Sequence, residues 1–120
     1  MKSALGLSAI LALVACSSLG PEPPIPSGQY EFTHRFFEHP TLPSVKLVAV
    51  IEGRSVVLTN HSPSSALPLG VVAKGQLLWH AASRSWIIGQ KPEDAFAPEV
   101  GGCTGGPEVI DLRARVYWSC

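Results

Sequence analysis

From residue 28 onward the chain alternates apolar and polar positions. Tyr30, Phe32, His34 and Phe36 share one parity, and Glu31, Thr33 and Arg35 take the other. A period of two with aromatics on one side predicts a strand with an inward face. Pro40 and Pro43 end this run, because proline cannot donate to a ladder. Val45 to Ile51 is nearly apolar on both faces, and Ser55 to Thr59 carries Val56, Val57 and Leu58. Gly53-Arg54 between them predicts a tight hairpin, with glycine where φ must be positive.

Asn60 to Pro68 reads as a loop rich in Ser and Pro. Val71 to Ala73 and Gln76 to His80 follow as strand segments, with Gly75 as a bulge or kink. Ala81 to Arg84 forms the turn to a short run at Trp86, Ile87 and Ile88. Residues 89–107 are irregular, punctuated by prolines and glycines, with a short helical turn at Pro92 to Ala97. Ile110, Leu112, Ala114, Val116 and Trp118 then share one parity, with Asp111, Arg113, Arg115 and Tyr117 on the other. This stretch reads as one strand with a core face and a wet face. The sum is an all-β domain: a small antiparallel meander, barrel or sandwich, of about six to eight short strands. Neither an internal repeat nor a βαβ unit interrupts it.

The start of the chain follows a different pattern. Lys2 precedes an apolar run from Ala4 to Val14. The run falls well short of the roughly 20 residues a spanning helix needs, and has the length of a signal-peptide core. It ends Leu13-Val14-Ala15-Cys16, which resembles the lipobox of bacterial lipoproteins. The resemblance implies that residues 1–15 are a removable signal, and that the Cys16 thiol carries a diacylglyceryl group. The new amino terminus at Cys16 is then acylated. Ser17 and Ser18 follow where an inner-membrane lipoprotein carries Asp, so the resemblance implies lipid anchoring at the outer membrane, facing the periplasm. Each buried methylene contributes about 0.8 kcal/mol, so several chains on one cysteine make a lasting anchor. Residues 16–27 contain Pro21, Pro23, Pro24 and Pro26 and predict an extended tether without a folded element. Residues 28–120 remain as the domain.

Composition narrows the function classes. The chain has 120 residues, 9 Lys+Arg against 9 Asp+Glu, and 15% charged residues. That length allows one domain and excludes a large multidomain enzyme. The balanced charge argues against a nucleic-acid binder, which carries a basic excess. Hydrophobic residues make up 46%, and part of that excess leaves with the signal. Of three cysteines, lipid on Cys16 leaves Cys103 and Cys120 as an even pair in an exported chain, which predicts a disulfide. Free thiols, or a bridge to another chain, are the alternatives.

Candidate chemistry is sparse. Gly101-Gly102-Cys103-Thr104-Gly105 has the spacing of a nucleophile elbow, but no helix follows it. A half-cystine in a glycine-rich turn fits better. The same loop lacks the Lys-Ser/Thr ending of a phosphate loop. His34, His39, His61 and His80 show no metal-ligand spacing. Glu93, Asp94, Glu99, Glu108 and Asp111 cluster late in the chain without a distinctive pair. Asp111 is placed to pair with an arginine or to hold a turn by accepting backbone N–H bonds. Neither a cofactor nor a metal is expected, and the chain reads as a non-enzyme.

The aromatics carry the binding expectation. Trp79, Trp86 and Trp118 either fill the core or mark a contact surface. Phe36 and Phe37 point to opposite faces of their strand, so one is expected to be exposed. Phe36, Phe37, Trp79 and Trp86 form the candidate contact surface. In general form the chain is similar to the small lipoprotein inhibitors and immunity-type proteins of bacterial envelopes, the lysozyme-inhibitor lipoproteins among them. That likeness of architecture implies a non-catalytic binding module for a periplasmic protein or a cell-wall component. A structural accessory subunit of an envelope assembly is the alternative.

Overall fold

A computed structural model describes residues 20–63 and 65–120. The lipobox, Cys16 included, lies outside the described residues. Seven strands follow in order: β1 (Gly28–Phe36), β2 (Val45–Glu52), β3 (Ser55–Asn60), β4 (Gly70–His80), β5 (Ser85–Gly89), β6 (Glu108–Asp111) and β7 (Val116–Ser119). Each pairs with the next, and β7 returns to β1, closing a barrel. Successive pairs are antiparallel, and the closing pair β1–β7 is parallel. An odd number of up-and-down strands leaves the first and last running the same way, so this meander closes only through a parallel seam.

The inward parity of β1 is the one its sequence announces. Phe32 and His34 are sealed, and Tyr30 and Phe36 are half-buried. Phe32 faces Leu47, Leu47 faces Asn60, and Ala49 faces Leu58 across the pairs. Directly opposed residues share a face, so these pairings stack the interior in layers with Ile51, Val56, Leu77, Ile110 and Tyr117. Each full burial of such a side chain contributes about 1.5–3 kcal/mol. β5 is buried on both faces: Ile88 joins the interior, while Ile87 on the outer face is fully covered. Its cover is the 90–107 excursion, whose short 3₁₀ helix, Pro92–Phe96, lies against β4 and β5.

The two ends of the barrel differ. One, the turn end, carries three short connections at residues 53–54, 81–84 and 112–115. Gly53 takes φ +60° there, as the hairpin requires. The opposite end, the loop end, carries residues 37–44, 61–69 and 90–107 together with Cys120. Cys103 and Cys120 are bonded at this end, with Cα atoms 4.9 Å apart.

Three sequence expectations are corrected. The stretch from Ile110 to Trp118 is a hairpin rather than one strand. Asp111 Oδ1 accepts the N–H groups of Arg113 (3.0 Å) and Ala114 (2.9 Å), and Arg115 turns to φ +57°. The turn reverses parity, so Tyr117 is buried at 2% exposure and opposes Ile110. Gly75 is not a bulge: β4 runs through it unbroken. The register slips at Val72, between Leu58↔Ala73 and Thr59↔Val71. Gly75 is instead a close approach, since a Cβ there would lie 2.5 Å from the Gly89 carbonyl oxygen.

The third correction concerns the tether. Residues 20–27 form no strand or helix, yet they are docked on the turn end. Ile25 is 8% exposed and belongs to the core cluster. Arg54 Nη2 donates to the Gly20 carbonyl (2.8 Å), the Tyr30 hydroxyl donates to the Pro26 carbonyl (2.7 Å), and Gly53 N–H donates to Ser27 Oγ (2.8 Å). The folded unit therefore begins ahead of residue 28.

Candidate functional site

The four aromatics of the candidate contact surface do not come together. Trp79 and Trp86 are a cross-strand pair near the turn end, with ring centroids 5.5 Å apart. They share parity with Leu77 and Ile88, so they stand in the barrel mouth. There, with Pro24 and Leu112, they line a hollow of about 460 Å³. Phe36 and Phe37 stand at the other end. Phe36 meets His34 edge-on, with centroids 4.4 Å apart, and Phe37 is 58% exposed. The Phe37 ring lies over Gly102 in the disulfide loop. Together with Val100, Val109 and Trp118 it lines a shallow apolar groove on the outer surface. One continuous aromatic surface is therefore excluded by the topology.

A large concavity opens at the loop end. A cleft of about 850 Å³ lies between the upper half of β4 and the disulfide loop. Val72, Ala73 and Lys74 form one wall, and Cys103, Gly106 and Cys120 belong to the other. Ile88 and Glu108 lie at its base, and Gln90, Lys91 and Asp94 at its rim.

A polar cluster stands inside the barrel below this cleft. The buried Tyr117 hydroxyl donates to Glu108 Oε1. Burial, reinforced by the hydrogen bond and the negative charge of Glu108, pushes the Tyr117 phenol far above its ordinary range, so it stays protonated. His34 packs beside Tyr117, with centroids 5.6 Å apart, and is hydrogen-bonded through Nε2 to Ser119 Oγ at 2.6 Å. His34 Nδ1 is buried without a partner among the described residues. Burial lowers the His34 pKa from 6.5, which favours the neutral ring.

The other predicted candidates separate. His80 is buried, with Nε2 donating to the Ala97 carbonyl (2.7 Å) and Nδ1 against Ser83 Oγ (2.7 Å). It ties the end of β4 to the excursion. His39 and His61 are exposed in loops. Asp94 turns its carboxylate onto the N–H groups of Gln90 and Lys91. Among the described residues, no group of three or more His, Cys, Asp or Glu side chains is placed to hold a metal ion.

Tyr117, Ser119, Lys74 and Gln90 are not singled out by sequence, and Glu108 stands there only as one of five late acids. Tyr117 carried a signal in Asp111, whose turn-forming capacity reverses the parity of everything after it. Ser119 carried none, since its partner lies 85 positions away. Compared with protein-family models, curated proteins and solved structures, the chain matches none of them.

Proposed function

We propose that this protein is a lipid-anchored lipoprotein of the outer membrane that acts as a non-catalytic binding module, presenting its loop end to a periplasmic partner. The observation that carries the reading is the polarity of the barrel. Residues 20–27 dock on the turn end, and the large cleft opens at the opposite end. With lipid on Cys16, the chain to Gly20 reaches at most about 14 Å. The turn end then faces the bilayer, and the cleft and disulfide loop face away from it. A concave mouth lined by apolar side chains with a few convergent polar groups is the usual form of a recognition site.

The anchoring half is tested by Cys16→Ala, which is expected to leave the chain unprocessed and outside the outer-membrane fraction. A variant that is still cleaved and membrane-bound overturns it. The binding half is tested by affinity capture from membranes with the anchored protein as bait. Retention of neither protein nor peptidoglycan fragments above a mock control overturns the binding reading.

A further inference from the structure

We propose that the cleft receives an extended segment of the partner polypeptide, which adds to the open upper edge of β4 as an extra strand. The proposal rests on the binding-module reading and names what that module recognises.

The strand pairing leaves a vacancy of defined shape. β4 is 11 residues long and β5 only 5. β3 pairs with β4 from Gly70 to Gln76, whereas β5 pairs only from Gln76 to His80. Above Gln76, β4 therefore has a strand on one side alone. β6 begins at Glu108, opposite Ile88, so it does not fill the space either. The cleft occupies this gap in the ring.

The orientation of the backbone groups follows from the ladder. In an antiparallel strand, residues alternate between the two neighbours. Leu77 N–H donates to the Arg54 carbonyl on the β3 side (2.6 Å), and Gln76 pairs with Gly89 on the β5 side. Lys74 therefore directs its N–H and C=O into the cleft. Gln90 Nε2 donates to that carbonyl at 2.8 Å, in the position a neighbouring strand's N–H would take. The side-chain amide stands in for one rung of a ladder whose strand is absent.

Charge completes the description of the occupant. Lys74 and Lys91 are exposed, and neither is in an ion pair among the described residues. Asp94 spends its carboxylate on backbone N–H groups, and Glu108 accepts the Tyr117 hydroxyl. An added strand continuing the line of β5 turns every second side chain outward, beside Lys74. A carboxylate there makes a cross-strand pair. The intervening side chains point into the mouth, beside Glu108, whose carboxylate holds the Tyr117 hydroxyl, and over Ala73 and Ile88, which favour apolar groups. The occupant is thus an extended peptide alternating acidic and apolar residues. Strand addition of this kind draws affinity from main-chain hydrogen bonds.

The test pans the full-length lipidated chain, in detergent, against a phage-displayed library of random peptides. Enrichment of sequences alternating acidic and apolar residues is expected. Lys74→Pro removes the N–H aimed into the cleft at a position where an edge strand tolerates proline. Loss of one or two such bonds is expected to weaken binding roughly tenfold. A second measurement leaves the protein unaltered. Peptides N-methylated on alternate residues are compared in both phases, and only the phase whose N–H groups face β4 is expected to lose binding. Equal binding of the two phases overturns the proposal, as does enrichment of no peptide. A membrane partner or peptidoglycan fragment that Lys74→Pro still retains overturns strand addition and leaves the binding-module reading standing. Absence of any retained partner removes both.

Discussion

His34 and Ser119 stand 85 positions apart in the chain and 2.6 Å apart in the barrel. The contact crosses the parallel seam between β1 and β7, one residue before the disulfide-bonded Cys120. It is a side-chain hydrogen bond on the one pairing between strands that do not follow each other in the chain. Two backbone bonds flank the seam, Thr33 N–H to the Arg115 carbonyl and Phe37 N–H to the Ser119 carbonyl, both 2.8 Å. Closure therefore depends on contacts that form only when the two chain ends meet.

Ser119→Ala leaves the buried Nε2 of His34 without its partner, beside an Nδ1 that has none among the described residues. The expected loss is about 1–3 kcal/mol, the cost of an unsatisfied buried polar group. Chemical denaturation at neutral pH measures it, and an unchanged midpoint would show that the bond carries no net stability.

Acidification weakens the fold through His34. Its folded pKa lies below 6.5 because burial disfavours the charged ring. Above that value both folded and unfolded chains hold the ring neutral, and its full contribution is present. As pH falls through 6.5, the unfolded chain takes up the proton first, so stability drops until the folded pKa is passed. Tyr117 and Phe36 pack against the ring, and the nearest acid of the cluster, Glu108, is bonded to the Tyr117 hydroxyl. Melting temperature is expected to fall as pH is lowered from neutral through 6.5. His34→Gln should lower stability at neutral pH and flatten the acid slope. Equal slopes in both proteins would assign the effect elsewhere.

Ile25→Ala is expected to destabilise the barrel by about 2 kcal/mol, the low end for a large-to-small core change. Residues 16–27 looked like a free tether, and a free tether would tolerate the change at no cost. Thermal melts of the variant decide between a docked plug and a spacer.

Replacing both Cys103 and Cys120 by serine releases a loop of 17 residues. The chain-entropy estimate for such a loop is about 3 kcal/mol. The double variant should melt like the reduced wild-type protein, and below the oxidised one. Coincident melting of oxidised and reduced wild type would mean that the bridge does not stabilise the fold.

Much of the fold was legible in short stretches. β1 could be read from Tyr30, Phe32, His34 and Phe36 because alternation is a property of neighbouring residues, and the Gly53 hairpin from a two-residue turn signal. The 3₁₀ turn at Pro92 and the pairing of Cys103 with Cys120 followed the same local and arithmetic logic. The stretch from Ile110 to Trp118 reads as a single strand because apolar and polar residues keep alternating through the turn. Only the Asp111 carboxylate, reaching the N–H groups two and three residues on, marks where the strand stops.

The sequence by itself determined an all-β chain, the inward face of β1, its disulfide and its resemblance to a lipoprotein signal, since each rests on adjacent residues or simple counting. Only the tertiary structure decided that the barrel closes through a parallel seam, and that Ile25 plugs one end. It alone separates the phenylalanines from the tryptophans and leaves the upper edge of β4 open. These features depend on residues far apart in the chain and on unequal strand lengths around the ring. Such relations are set by the closure of the sheet as a whole, and no local pattern encodes them.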